Sequence, residues 1–240
     1  MIMLSDVMAN ENIAIMIEQA NACMEAMGYT DHGPRHVGYV SRITRQILKE
    51  LDFDDRTVEL GAIAGWVHDV GNAFNRDTHA QIGATVLMPL LREMGMPFCE
   101  VMRICTAVGN HDEQSGCPVS EISAALIIAD KIDAHRARVR RNKYDFEDIH
   151  DRVNYSIRNT QVTIDAKNKI IRFACTMDDS SSVKEFLNIY MSRMTLSEAA
   201  SKFLGCSFEF VVNGMLINNT PIRPKTRPLP PQTHEQEPLV

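Results

Sequence analysis

His68 and Asp69 stand side by side in the apolar run 60–70, where no other side chain can ionise. An imidazole and a carboxylate buried without partners cost several kcal/mol or more, so a pair placed there demands compensation. A divalent cation supplies it, because neutral imidazole nitrogen and carboxylate oxygen are hard-to-borderline donors that such ions accept. The chemistry on offer is therefore metal ligation, provided the chain brings further donors to the same place. Four more polar side chains recur on faces that otherwise want burial: His36, His79, His111 and Asp130. Taken singly, a histidine on an apolar stripe is ordinarily a satisfied core residue, and Asp130 a buried hydrogen-bond acceptor. Taken together, the six admit one explanation.

The elements that must position them can be read from the periodicity. Residues 1–27 read as one helix, with Ile13, Ile17, Ala20 and Met24 at helical spacing and Gly28 ending it, a packing element or dimer contact. Gly33-Pro34 opens a second helix, proline suiting the first helical position, and His36 heads its stripe of Val40, Ile43, Ile47 and Leu51. The third, over 56–70, is apolar nearly all round and so central, with His68 on a stripe with Gly61 and Ala64 and Gly71 as its stop. Asp77 or Thr78 caps a fourth helix, in which His79 leads Ile82, Gly83, Val86 and Leu90. Pro97 starts a fifth, whose stripe of Val101, Ile104 and Val108 ends at His111. Pro118 starts a sixth, with Ile122, Leu126, Ala129, Asp130 and Asp133 on one side.

From about Asp145 the pattern changes. Alternating segments 162–164 and 171–175 around a polar turn read as a β-hairpin, 182–204 as an amphipathic helix, and 207–218 as a pair of short strands about Asn213-Gly214. The fold class expected is mainly α: a helical bundle over 1–144, then a small α+β appendage over 145–220 with an antiparallel sheet and one helix. The proline-rich, charged stretch 221–240 reads as a disordered tail.

Composition sets outer bounds. With 45% hydrophobic and 23% charged residues over 240 positions, the chain has the make-up of a globular protein with one ample core. No apolar run approaches the roughly 20 residues that span a bilayer, and the N-terminus lacks the pattern of a secretory signal. A cytoplasmic location with no membrane partner is the expectation. The six cysteines are scattered without a C-x-x-C pair, which argues for reduced thiols and against a zinc ribbon. A net charge of −6 points away from nucleic acid as a partner.

His36, the His68-Asp69 pair and Asp130 resemble the H…HD…D signature of the HD superfamily of metal-dependent phosphohydrolases, over roughly residues 30–140. His79 and His111 resemble the extra histidines of members that hold two metals, and the run 119–136 is similar to the diadenosine tetraphosphate hydrolase subfamily. The likeness to HD-GYP cyclic-dinucleotide phosphodiesterases is poorer: Gly71-Asn72 stands where they carry Gly-Lys, and Gly116-Cys117-Pro118 where they carry Gly-Tyr-Pro. The resemblance implies a helical HD domain in which His36, His68, Asp69 and Asp130 hold one ion, while Asp69 bridges to a second held by His79 and His111. It implies iron or manganese first, with zinc, cobalt, nickel or magnesium also compatible with the ligands.

An ion in such a site acidifies bound water and neutralises charge developing on a phosphoryl group, so the reaction implied is attack on a phosphoester or phosphoanhydride. The substrate implied is a small phosphorylated molecule, a nucleotide or dinucleoside polyphosphate. Around the ions, Arg136 either grips a substrate phosphate or belongs to the solvated arginine run 136–141. Asp133 either orients a ligand histidine or pairs with an arginine. Asp112 and Glu113 could assist proton transfer but are expected on an exposed loop, and Arg35 on the surface. Two other readings keep the same scaffold: a nucleotide-sensing module without turnover, assembled through its C-terminal part, and a redox-iron oxygenase. A homodimer is compatible with either.

Overall fold

The computed structural model describes residues 1–140 and 144–217. Among them the chain forms nine α-helices and one four-stranded sheet, mainly α as expected. The N-terminal helix expected over 1–27 is two: α1 (Leu4–Met8) and α2 (Glu11–Ala26). The break falls at Asn10, whose side chain accepts from the amide of Ile13 and caps a new helix, an alternative backbone partner that competes with helix continuation. Gly28, at φ +83°, then ends α2 in a conformation that glycine adopts at little cost.

Helix α3 (Pro34–Glu50) starts at its proline, and α4 (Asp55–Val67) at an Asp54 cap that accepts from Thr57. The two lie very close. A Cβ on Gly65 would stand 2.6 Å from the Cα of Ser41, so only glycine lets the backbones approach this far. Ser41 Oγ donates to the carbonyl of Ala62 across the contact, 2.7 Å. Helix α4 is buried nearly all round, packing against α3, α6 (Phe98–Gly109) and α7 (Glu121–Lys131).

α4 stops at Val67, earlier than its apolar run suggests. His68 and Asp69 follow it, and the chain tightens into a 3-10 turn over Val70–Ala73. Gly71 lies within that turn instead of ending the helix. A Cβ there would fall 1.9 Å from the carbonyl oxygen of His79 and 2.7 Å from the amide of Gly83. The bare backbone of Gly71 thus lets α5 (His79–Glu93) begin directly beside the end of α4.

Thr78 occupies the cap position of α5, but its side chain makes no capping bond; Asn75 Oδ1 accepts from its amide instead. The buried face of α5 is His79, Ala80, Gly83, Leu87 and Leu91, with Ile82, Val86 and Leu90 only half-buried, one position round from the stripe expected. α7 begins at Glu121, three residues after Pro118, behind the cap residue Ser120, whose side chain accepts from the amide of Ser123.

The C-terminal part opens with a helix not anticipated, α8 (Ile149–Ser156), capped by Asp148. β1 (Ile157–Asp165) and β2 (Ile170–Met177) form the expected hairpin. α9 (Val183–Phe203) starts with a capping box between Ser182 and Glu185; Phe203, expected on its apolar face, is exposed. β3 (Ser207–Val212) and β4 (Met215–Leu216) turn about Asn213-Gly214, both at positive φ as such a tight hairpin requires.

The sheet order is β1-β2-β3-β4, and β2 pairs with β3 in parallel, so the sheet is mixed where an antiparallel one was expected. α9 is the crossover that a parallel pair needs. Phe173, Phe210, Phe186 and Tyr190 bury their rings between sheet and helix. α9 also packs on α7, and one apolar cluster runs from Val7 through the helices to Val212. No described helix is long and apolar enough to cross a membrane. The tail expected over 221–240 lies outside the described residues, as do Arg141 and the last residue of the strand pair expected over 207–218.

Candidate metal centre

The close approach at Gly71 sets the geometry of the centre. It brings His68-Asp69, at the end of α4, against His79 at the start of α5, while α3 presents His36, the end of α6 leads to His111, and α7 carries Asp130. His36, His68, Asp69, His79 and His111 are buried, and Asp130 is nearly so.

The four imidazoles share one orientation. His68, His79 and His111 each direct Nδ1 at a backbone carbonyl three residues earlier: Gly65 at 2.9 Å, Arg76 at 2.7 Å and Val108 at 2.6 Å. A carbonyl oxygen only accepts, so Nδ1 carries the proton and Nε2 is left with a lone pair when the ring is neutral. His36 does the same with a carboxylate, donating from Nδ1 to Asp133 Oδ2 at 2.7 Å. This is the tautomer and the outer support of a metal-ligating histidine.

All four Nε2 atoms turn inward and sort around the two oxygens of Asp69. His36 and His68 lie 3.4 and 3.3 Å from Oδ2, while His79 and His111 each lie 3.6 Å from Oδ1. Asp130 Oδ1 joins the first pair, 3.4 Å from His36 and 3.7 Å from His68. Within the pairs, Nε2 atoms stand 3.3 Å apart (His36 and His68) and 3.2 Å apart (His79 and His111). Two lone pairs facing each other at that separation repel unless positive charge lies between them. Two nitrogens bound at roughly 2.0–2.1 Å to one tetrahedral or octahedral ion stand roughly 3.0–3.4 Å apart. The donors fit: His36, His68 and Asp130 converge on one point, and His68, Asp69 and His111 on a neighbouring one.

Electrostatics point the same way. Burial disfavours charge on His68, yet the carboxylates of Asp69 and Asp130 outweigh it and hold its pKa up at about 10. His36 is raised as well, burial and Arg138 being overcome by Asp130, Asp133 and Asp69. Asp69 and Asp130 lie well below the carboxylate range: burial would raise them, but His68 beside the first and Lys131 beside the second reverse its effect. His79 behaves differently, burial and the neighbouring His111 pushing it down to about 4. One half of the centre thus attracts positive charge, and the other presents an uncharged imidazole, as ligation requires.

Asp133 braces the first half. Besides accepting from His36 it receives Arg35 (Nη2 at 2.5 Å), and Arg138 Nη1 donates to its backbone carbonyl at 3.0 Å. Arg35, expected on the surface, is the outer member of this chain, with a third of its side chain exposed. Asn72 donates to Asp69 Oδ1 at 2.9 Å. Asp112 is not on an exposed loop: it is buried, 3.9 Å from His79. The segment after α6 folds back so tightly that a Cβ on Gly116 would stand 2.3 Å from the carbonyl of Asn110. Arg136 stands apart from the gathering, its guanidinium donating to the carbonyl of Tyr155 at 2.5 Å and lying over the Tyr155 ring.

Around the opening stand Arg76 and His32 from loops, Lys131, Arg138, and Arg193 from α9, of which periodicity gave no sign of Arg76, His32 or Arg193. Lys131 donates to Asp130 Oδ2 at 2.6 Å. His32 accepts from Arg138 through Nε2 and is held well below its ordinary pKa by burial and that guanidinium. Only its position four residues before His36 could have drawn notice to His32.

A helical body with a buried imidazole–carboxylate centre is the class that this geometry defines. Residues 35–138 match the model of the HD domain family. No curated protein matches the chain. Among solved structures, a predicted HD superfamily hydrolase from an uncultured Thermotogales bacterium is similar at 22% identity, covering 52% of this chain and 67% of that one with a TM-score of 0.41.

Proposed function

We propose that the protein is a metal-dependent phosphohydrolase acting on a small phosphorylated molecule, a nucleotide being the substrate class favoured. One observation carries the reading: four inward Nε2 atoms divided over the two oxygens of Asp69, with every Nδ1 tied down. His36, His68, Asp69 and Asp130 would hold one divalent ion, and Asp69, His79 and His111 a second. Ions bound there supply Lewis acidity and an acidified water.

The chain's own residues supply the rest. Asp133 fixes the ring of His36, Lys131 sets Asp130, and Asn72 sets Asp69. Asp112, buried beside His79, is placed to accept or return a proton at the mouth. Iron or manganese is the proposed metal, since mixed nitrogen and oxygen ligation admits several ions and the family resemblance favours these two.

The test is elemental analysis of protein purified without chelator, together with hydrolysis of a nucleotide panel, on wild type, Asp69→Ala and Asp69→Asn. Both variants are expected to lose metal and turnover while keeping a helical circular dichroism spectrum. Retained metal with unchanged turnover in a folded variant would remove the assignment.

A further inference from the structure

Two cavities meet at the centre. The inner one reaches Asp69, His79 and Asp130; the outer, about 300 Å³, lies between the N-terminal helices and the C-terminal part. Five residues line both and so form the throat: His32, Arg76, Asp112, Glu113 and Arg193. Arg193 comes from α9, outside the matched residues 35–138.

We propose that Arg193, helped by Arg76, grips the substrate's phosphate in this throat, and that the outer cavity receives the organic part of a phosphomonoester no larger than a single nucleotide. The proposal rests on the phosphohydrolase reading and deepens it.

Elimination singles out these two cations. Lys131 is committed to Asp130, and Arg138 to the carbonyls of Asp31 and Asp133 and to His32. His32 has both ring nitrogens engaged, Nδ1 donating to the carbonyl of Thr30 at 2.7 Å and Nε2 accepting from Arg138 at 3.2 Å. Arg193 is bound only on one side: Nε meets Glu113 Oε2 at 3.3 Å, and the guanidinium lies 5.0 Å over the ring of Tyr190. Its two Nη groups have no partner among the described residues, and 27% of the side chain stays accessible. A planar guanidinium held from behind with its fork free is the donor that a phosphate takes in a bidentate fashion. Arg76 is similarly held, by Asn72 at 3.3 Å and over Tyr29 at 5.4 Å.

The outer cavity sets the class of the carrier. Its volume, about 300 Å³, is at the small end of ligand sites, which run roughly 300–1,000 Å³, and suits one nucleoside better than two. Tyr29 and Ile189 offer apolar surface, while Asp148 offers an acceptor for hydroxyl donors. Asp77, Asp148 and Glu113 repel further negative charge beyond the throat. A neutral, hydroxylated carrier with one terminal phosphate meets all three conditions.

The experiment uses the full chain with its native metal and isothermal calorimetry with inorganic phosphate. Arg193→Gln is expected to bind phosphate ~10–100-fold more weakly, the loss of a charge-assisted pair, with metal content unchanged. Arg193→Lys, which keeps the charge and loses the fork, falls between. In turnover, the KM for nucleoside monophosphates rises by a similar factor, and wild type favours them over dinucleoside tetraphosphates by about tenfold or more in kcat/KM. Phosphate affinity equal to that of wild type in folded Arg193→Gln and Arg193→Lys proteins would overturn the grip, and a preference for the tetraphosphates would overturn the assigned carrier. Failure of the hydrolase reading looks different: wild type with bound metal cleaves no phosphoester, whatever the calorimetry shows.

Discussion

At the scale of single residues, the centre depends as much on what holds the imidazoles from outside as on the donors themselves. Three rings lean on main-chain carbonyls, which mutation cannot remove, but His36 leans on a side chain. Asp133→Ala is therefore expected to weaken metal binding about 10–100-fold, as loss of such a support typically does, measured by competition with a chelator. His36→Gln or His111→Gln should each empty the point to which it contributes, read as a fall in bound metal per chain. The donors were legible because each interrupts an apolar periodicity, so burial and polarity conflict at a visible position. Arg76 and His32 were not, since loops have no period, and Asp112, read as able to assist proton transfer, was expected exposed. Asp112 became buried only because a backbone fold around Gly116 carries it inward.

Between elements, the decisive contact is the one that Gly71 permits. A methyl group there meets backbone on two sides, neither of which can yield like a side-chain tip. Gly71→Ala should cost about 1–3 kcal/mol or more by overpacking and should pry His79 from Asp69, so a lowered Tm and a lowered metal content are expected together. α9 offers a pH test. Glu185, paired with Arg152 and capping with Ser181 and Ser182, has its carboxyl pulled down to about 2. A depressed carboxyl stabilises the fold above its unfolded pKa of about 4.5 and loses that contribution as pH falls toward 2. The Tm gap between wild type and Glu185→Gln should accordingly be present at pH 7 and close between pH 4.5 and 2, as followed by circular dichroism. Helix existence was legible from spacing, and helix ends were not. Ser120 outcompeted Pro118 as a start, Asn10 split one apolar pattern into two helices, and α8 was too short to show a period.

For the whole molecule, both hairpins were readable from alternation and turn residues, but the parallel pairing of β2 with β3 joins segments separated by α9, and nothing local encodes it. Because one apolar cluster passes from the N-terminal helices into the sheet, calorimetry is expected to show a single cooperative unfolding transition. A chain ending at residue 144 would strip α9 from α7 and is expected to lose that transition; two separate transitions in the intact chain would contradict the shared core. α9 delivers Arg193 from some sixty positions beyond Asp130. On the proposed reading, reactivity and choice of customer are written on different stretches of the polymer, so exchange of the later stretch alone is expected to redirect the protein to a new molecule while its metal content stays unchanged.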